Sequence, residues 1–253
     1  MIHFFGMGGI HVILAAEQIG TLWGIPITNS LVMTWVAMAL IFIFVLIVNR
    51  SIALVPGKLQ TALEWAVEGA RGYVGETLED EKLAERFFPL IAGLAVFIVT
   101  INELEFFPGV GSIGFFKGEE FVPLLRASTT DLNTTLALTI ISVIVIEVAG
   151  IMGVGFFRYA GKFINFGSPV KFIVGIIELI SELARLITFS FRLFGNIFAG
   201  EVLIAIVAFF VPYVLPAPFM LFELFVGAVQ GIIFGLLTLF FIKLAVTPPE
   251  AGH

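Results

Sequence analysis

The chain has 253 residues, 59% of them hydrophobic and only 13% charged, and its mean hydropathy is +1.10. Soluble domains average about 45–50% apolar and about 25% charged residues, so this composition excludes an ordinary soluble domain and describes an integral membrane protein. A net charge of −6 with no long run of Lys or Arg excludes nucleic acid as a partner, and the absence of Cys excludes disulfide and thiol chemistry.

Residues 1–30 are expected to form an outer N-terminal segment, followed by a first apolar span over 31–48. A hydrocarbon core of about 30 Å needs about 20 helical residues. The first basic side chain, Arg50, lies after this span rather than before it, unlike a cleavable secretory signal, so the N-terminus is expected outside. Residues 58–78 follow Pro56-Gly57 and differ in pattern. Glu64, Glu68 and Arg71 share one face, while Leu59, Leu63, Trp65 and Val67 are among the apolar residues. This predicts an amphipathic helix on the inner surface.

A second span is predicted over 87–107 and an outer loop over 108–130. Gly109-Val110-Gly111-Ser112-Ile113-Gly114 matches G-x-G-x-x-G, but a membrane helix precedes it where a dinucleotide site needs a strand, so it reads as loop. Thr129, Thr130, Asp131 and Asn133 offer N-caps for a third span over 131–157, interrupted only by Glu147, which is read as reaching the inner interface. The fourth span, 170–211, is about 60 Å long as a continuous helix, twice the bilayer, so it must tilt or bend. Pro212, Pro216 and Pro218 separate it from the fifth, 218–246. The fold class is therefore an all-α membrane protein forming a single integral membrane domain. It has five transmembrane helices and one amphipathic surface helix, and the last two spans form a long, steeply tilted hairpin. Arg50, Lys58, Arg158, Lys162, Lys171 and Lys243 fall on one side, which the positive-inside rule makes cytoplasmic. Glu103, Glu105, Glu119 and Glu120 outnumber Lys117 and Arg126 on the other, giving an N-out, C-in topology.

The fourth span carries Glu178, Ser181, Glu182, Arg185, Thr188, Arg192 and Asn196. At about 100° per residue, Glu178, Arg185 and Asn196 fall within about 40° of Arg192 and Glu182 within about 80°, so the polar groups form one stripe. An arginine at the bilayer centre costs between about 2.5 and 17 kcal/mol, and a helix that accepts this is expected to handle ions. Glu201 lies about 180° from Arg192 and does not belong to the stripe. On the fifth span Glu223 and Gln230 are seven residues apart and share a face, and Gly227, Gly231 and Gly235 repeat beside it, which lets another helix approach closely. Glu201 and Glu223 are expected to share a hydrated pocket near the outer leaflet, where paired carboxylates split their proton affinities. The plainer reading is that these charges lock the bundle through buried ion pairs, Glu182 with Arg185 and Glu178 with Arg185. His3, His11 and His253 have no metal-ligand spacing, and no Walker A sequence is present, so no metal, cofactor or ATP site is expected in this chain.

Phe191 to Glu201, F-R-L-F-G-N-I-F-A-G-E, closely resembles the signature of subunit a of the F-type rotary ATP synthase. Val55-Pro56-Gly57-Lys58-Leu59-Gln60, Phe87-Phe88-Pro89-Leu90-Ile91 and Asp131-Leu132-Asn133-Thr134-Thr135 resemble further segments of that family, so the resemblance covers most of the chain and only the first thirty residues carry little signal. The resemblance implies a non-catalytic, proton-translocating stator subunit of a bacterial cytoplasmic membrane, packed against a ring of subunit c, held by peripheral-stalk subunit b and linked indirectly to the F1 head. It implies that Arg192 is the essential arginine and that Asn196, Glu201 and Gln230 belong to the half-channel region. Glu178 and Ser181, with Glu182, would line the cytoplasmic half-channel, and Arg185 stands where some members have Lys. Glu223 falls where many members carry His, so a carboxylate pair replaces Glu with His. A stand-alone cation/proton secondary transporter is the rival reading. It predicts inverted repeats and broken midplane helices, and neither is seen in the sequence. A purely structural membrane anchor is a third, in which neutralising the stripe would leave activity untouched.

Overall fold

The computed structural model describes residues 16–107, 109–117, 120–163 and 168–247. His3, His11, His253, Glu119 and the first half of the N-terminal segment lie outside the described residues. Hydropathy alone dictates the main elements, and five helices are long and apolar enough to cross a membrane. These are α1 (Asn29–Ser51), α3 (Glu81–Leu104), α4 (Leu132–Val154), α6 (Pro169–Phe210) and α7 (Pro216–Val246), with α2 (Lys58–Leu78) and the short α5 (Phe156–Phe163) between them.

Side-chain caps set the starts of four spans. Thr28 accepts from the Leu31 amide at α1, Asp80 from Lys82 and Leu83 at α3, Asp131 from Asn133 at α4, and Ser168 from Lys171 at α6, where Pro169 occupies the first turn. Each replaces water for backbone N–H groups that a helix leaves unpaired. Two details depart from the sequence reading. The third span stops at Val154 because Gly155 adopts φ +91°, and the residues after it form α5, which carries Arg158 and Lys162. One end of the bundle also holds two small antiparallel hairpins, β1 (Gln18–Leu22) with β2 (Ile25–Thr28) and β3 (Gly114–Lys117) with β4 (Glu120–Pro123). Both hairpins lie at the end where α1 and α4 begin, and there Asn29 Nδ2 donates to the Pro123 carbonyl and Ser128 Oγ to the Ser30 carbonyl. The opposite end carries α2 and α5.

The core is built around α7, which packs on α3, α4 and α6. Its glycines explain how. A Cβ on Gly231 would meet the Val99 backbone nitrogen at 2.8 Å and the Ala95 carbonyl at 3.0 Å; one on Gly235 would meet the Ile91 carbonyl at 3.2 Å. Gly227 sits against Asn102 and accepts a 2.9 Å hydrogen bond from its Nδ2. The glycine ridge of α7 is thus the seat of α3, antiparallel to it and close enough for backbone to touch backbone. Ile98, Ile101, Leu193, Ile197, Leu239 and Ile242 fill the interior around this contact. In contrast, most of α1, including Phe42, Val45 and Ile47, is left for lipid.

α2 is a helix as the sequence predicts, held at one end by Val74 and Leu78, with Arg71 paired to Glu85 of α3 and Trp65 exposed.

Replacing Gly231 with Leu should force α3 and α7 apart and destabilise the bundle by about 1–3 kcal/mol, the usual range for overpacking. The check is the thermal midpoint of the purified protein in detergent and the amount of folded protein in the membrane. Gly93→Ala, at a site with nothing within 4 Å of the new methyl, should leave both unchanged.

Candidate ion-handling site

Three groups of polar side chains sit along α6, and the elements facing it differ at each level. At the hairpin end, α6 contributes Glu201 and α7 contributes Glu223. The Glu223 carboxyl lies on Gly200: a Cβ there would fall 1.9 Å from its Cδ, so only glycine leaves room for it. Glu223 is 5% exposed and its Oε1 is buried without a hydrogen-bond partner. A third carboxylate joins them from α3, one that the sequence reading left among the outer-loop acids. Glu105 follows the last residue of α3, one turn beyond Asn102, and its Oε2 is buried without a partner. Burial pushes its carboxyl up to about 8, helped by the negative charges of Glu201 and Glu223 and opposed by Arg126. Arg126 is itself buried in the segment leading to α4.

One turn deeper, Asn196 Nδ2 donates to Gln230 Oε1 at 2.9 Å, joining α6 to α7. Gln230 is buried and its Nε2 has no acceptor. Arg192, a turn further along α6, is half-buried and makes no ion pair or hydrogen bond through its side chain among the described residues. The exposed residues within about 40° of it on the helix include Thr188, Asn196, Ala199 and Leu203.

Towards the α2–α5 end the charges are paired. Arg185 Nη1 bonds Glu182 Oε2 at 2.7 Å and its guanidinium lies 4.0 Å from the centre of the Phe241 ring. Lys162 of α5 reaches Glu178 at 2.5 Å and Glu182 at 3.4 Å. So Glu178 pairs with Lys162, not with Arg185 as the ion-pair reading had it. Ser181 stands apart: its exposed hydroxyl donates to the Ile177 carbonyl of its own helix.

The structure therefore brings Glu201, Glu223 and Glu105 together, joins Asn196 to Gln230, and gathers Glu178, Glu182 and Arg185 around Lys162. It leaves Arg192 and Ser181 outside these clusters. The sequence reading missed Lys162 and Glu105 as site residues. A signal existed for Lys162, three residues after Tyr159 and hence on one helical face with it, and for Glu105, which follows Asn102 at the same spacing.

A family model described as ATP synthase A chain matches residues 31–243. Relatives named ATP synthase subunit a are similar over most of their length. The protein of Moorella thermoacetica is 31% identical over 218 residues, 86% of this chain and 90% of the relative. That of Campylobacter jejuni subsp. doylei is 32% identical over 219 residues, 85% and 88% of the two chains, and that of Geotalea uraniireducens 31% identical over 228 residues, 89% of each. With a matching family model over most of the spans and relatives above 30% identity covered almost end to end, this chain belongs to the ATP synthase A chain family, the subunits a of the F-type ATP synthase.

Proposed function

We propose that this subunit a provides two offset aqueous half-channels that lead protons to and from a ring of subunit c, with Arg192 as the barrier between them. The observation that carries the reading is Arg192 itself, a half-buried guanidinium with no ion pair or hydrogen bond through its side chain among the described residues, on a membrane helix with much exposed apolar surface. Such a charge is too expensive to keep unless a counter-charge arrives from elsewhere. A carboxylate on a neighbouring ring of helices supplies it.

The hairpin end faces outward and the α2–α5 end inward, as the placement of Arg50, Lys58, Arg158, Lys162, Lys171 and Lys243 supports. The N-terminus then lies outside and the C-terminus in the cytoplasm of a bacterium. A proton enters from outside past Glu105, Glu201 and Glu223, moves along Asn196 and Gln230, and neutralises a ring carboxylate. The neutral site turns through lipid, where the ionised one could not go. After nearly a full turn it reaches the inner path near Glu178, Ser181 and Glu182 and gives up its proton. Arg192 then faces the ionised carboxylate and stabilises that charge, each unit of lowered pKa being worth about 1.36 kcal/mol. It also repels a proton that would pass directly between the two paths. Each proton crossing 100 mV releases about 2.3 kcal/mol, so several are pooled for each ATP made on the F1 head. Subunit b holds this chain still while the ring turns.

Arg192→Ala is expected to abolish coupled ATP synthesis while the complex still assembles; normal synthesis by an assembled variant overturns the proposal. Glu105 holds its proton below about pH 8 and is ionised above it. At constant driving force, proton uptake should therefore decline as the outer pH rises through about 8, and Glu105→Gln should remove that inflection, as read from ATP synthesis in vesicles buffered separately inside and out. Glu223→Gln should likewise change the outer-pH profile, and an unchanged profile removes Glu223 from the path.

A further inference from the structure

The inner cluster contains one carboxylate for which the ion pairs do not account. Around the start of α6 stand Glu178, Glu182 and, from α4, Glu147, against the cations Lys162 and Arg185. Lys162 is engaged by Glu178 and Glu182, and Arg185 by Glu182 and the Phe241 ring. Glu147 is left over: among the described residues it has no ion pair, and its Oε1 is buried with no hydrogen bond.

Its setting is built, not incidental. Gly150 lies one turn along the same face of α4, and the Tyr159 ring of α5 packs onto it; a Cβ on Gly150 would meet Tyr159 Cε2 at 2.2 Å and Cζ at 2.7 Å. This seats the hydroxyl end of the ring beside Glu147. Tyr159 is buried, with its hydroxyl facing the Glu147 carboxyl. Burial, and then the negative charge of Glu147, raise the proton affinity of the Tyr159 hydroxyl, so it stays a donor. The charged and titratable groups around Glu147 are Tyr159 and Lys162 from α5 and Glu182 and Arg185 from α6. On α7 the nearest ionisable group at this end, Lys243, is occupied by the Leu78 carbonyl and Glu79.

We propose that Glu147 is the proton-exchanging residue of the inner path, that Tyr159 positions its carboxyl, and that the ion pairs of Lys162 and Arg185 form the fixed charged lining beside it. This rests on the two-path reading above. A carboxylate already matched by a cation gains nothing from a proton, whereas an unmatched, partly buried one alternates between the two forms at little expense. During synthesis the O–H bond of the ring carboxylic acid breaks and the proton, handed on through water, forms an O–H bond on Glu147. That bond then breaks to cytoplasmic water and restores the carboxylate, so no charge accumulates in the chain. Ser181, with its hydroxyl held by its own helix, and Glu178, held by Lys162, take no proton in this scheme.

The test uses the whole ATP synthase in inside-out membrane vesicles, where ATP-driven pumping draws protons through the inner path from a medium of chosen pH. Glu147→Gln should slow pumping by about tenfold or more, the low end of what a positioned acid–base group contributes, and remove the dependence on medium pH. Tyr159→Phe should shift the midpoint of that dependence while keeping most of the maximal rate, which a merely structural role would not do. Because the native chain contains no Cys, Glu147→Cys introduces a single thiol into it. A membrane-impermeant thiosulfonate should modify that thiol in inside-out vesicles and not in right-side-out ones. An assembled Glu147→Gln complex with wild-type rate and pH profile, or a Glu147→Cys thiol protected from the inner side, overturns the proposal. Arg192→Ala in the same vesicles separates the two levels: if it pumps normally the two-path reading falls, and if it is inactive while Glu147→Gln behaves as wild type, only the role of Glu147 falls.

Discussion

An ionised side chain inside hydrocarbon needs a counter-charge, water or a neutralising proton, and that requirement orders the polar groups of this chain. Each level of α6 meets it differently. Towards the α2–α5 end it is met by cations, with Lys162 and Arg185 set against Glu178 and Glu182. At the hairpin end three carboxylates converge with Arg126 nearby, and Glu105 answers by holding its proton up to about pH 8. Between them Arg192 has no answer among the described residues. The same physics that makes paired charges structural makes the unpaired one a demand on a partner.

Close helix packing is what allows these groups to meet. The glycine ridge that seats α3 against α7 brings Asn102 to the Gly227 carbonyl, and Glu105 follows one turn later. Gly200 performs the same service between α6 and α7, since the space of its missing side chain holds the Glu223 carboxyl. Any side chain at Gly200 would displace the carboxylate, so the acidic cluster and the helix packing are one feature. At the other end Gly150 admits the Tyr159 ring and so fixes α5, the helix that also delivers Lys162.

Hydropathy made the five spans legible, because about 20 apolar residues in a row have few other uses. Helical angles likewise separated Glu201 from the stripe. Angles name a face, however, and not what lies across from it. Glu178 and Arg185 share a face at the right spacing, yet the cation that reaches Glu178 comes from α5, a helix hidden in what hydropathy reads as the tail of the third span. The break depends on one backbone conformation, φ +91° at Gly155, and a glycine in an apolar run does not announce it. Glu105 was hidden for a similar reason: it read as one more loop acid, and the carboxylates whose charge it feels, Glu201 and Glu223, lie about a hundred residues away in sequence.

The two ends of α6 also differ in sign, and under the proposed function this difference has a direction. Glu105, Glu201 and Glu223 gather at one end, where burial and the charges of its two neighbours raise the proton affinity of Glu105 and buried Arg126 opposes them. The inner cluster is closer to balance, three carboxylates against two cations, with the surplus resting on Glu147. A proton leaving the ring there meets a lining whose negative charge is mostly spent, which favours passage to water over capture. Under the proposed function Arg192, standing between the two clusters, keeps them from joining.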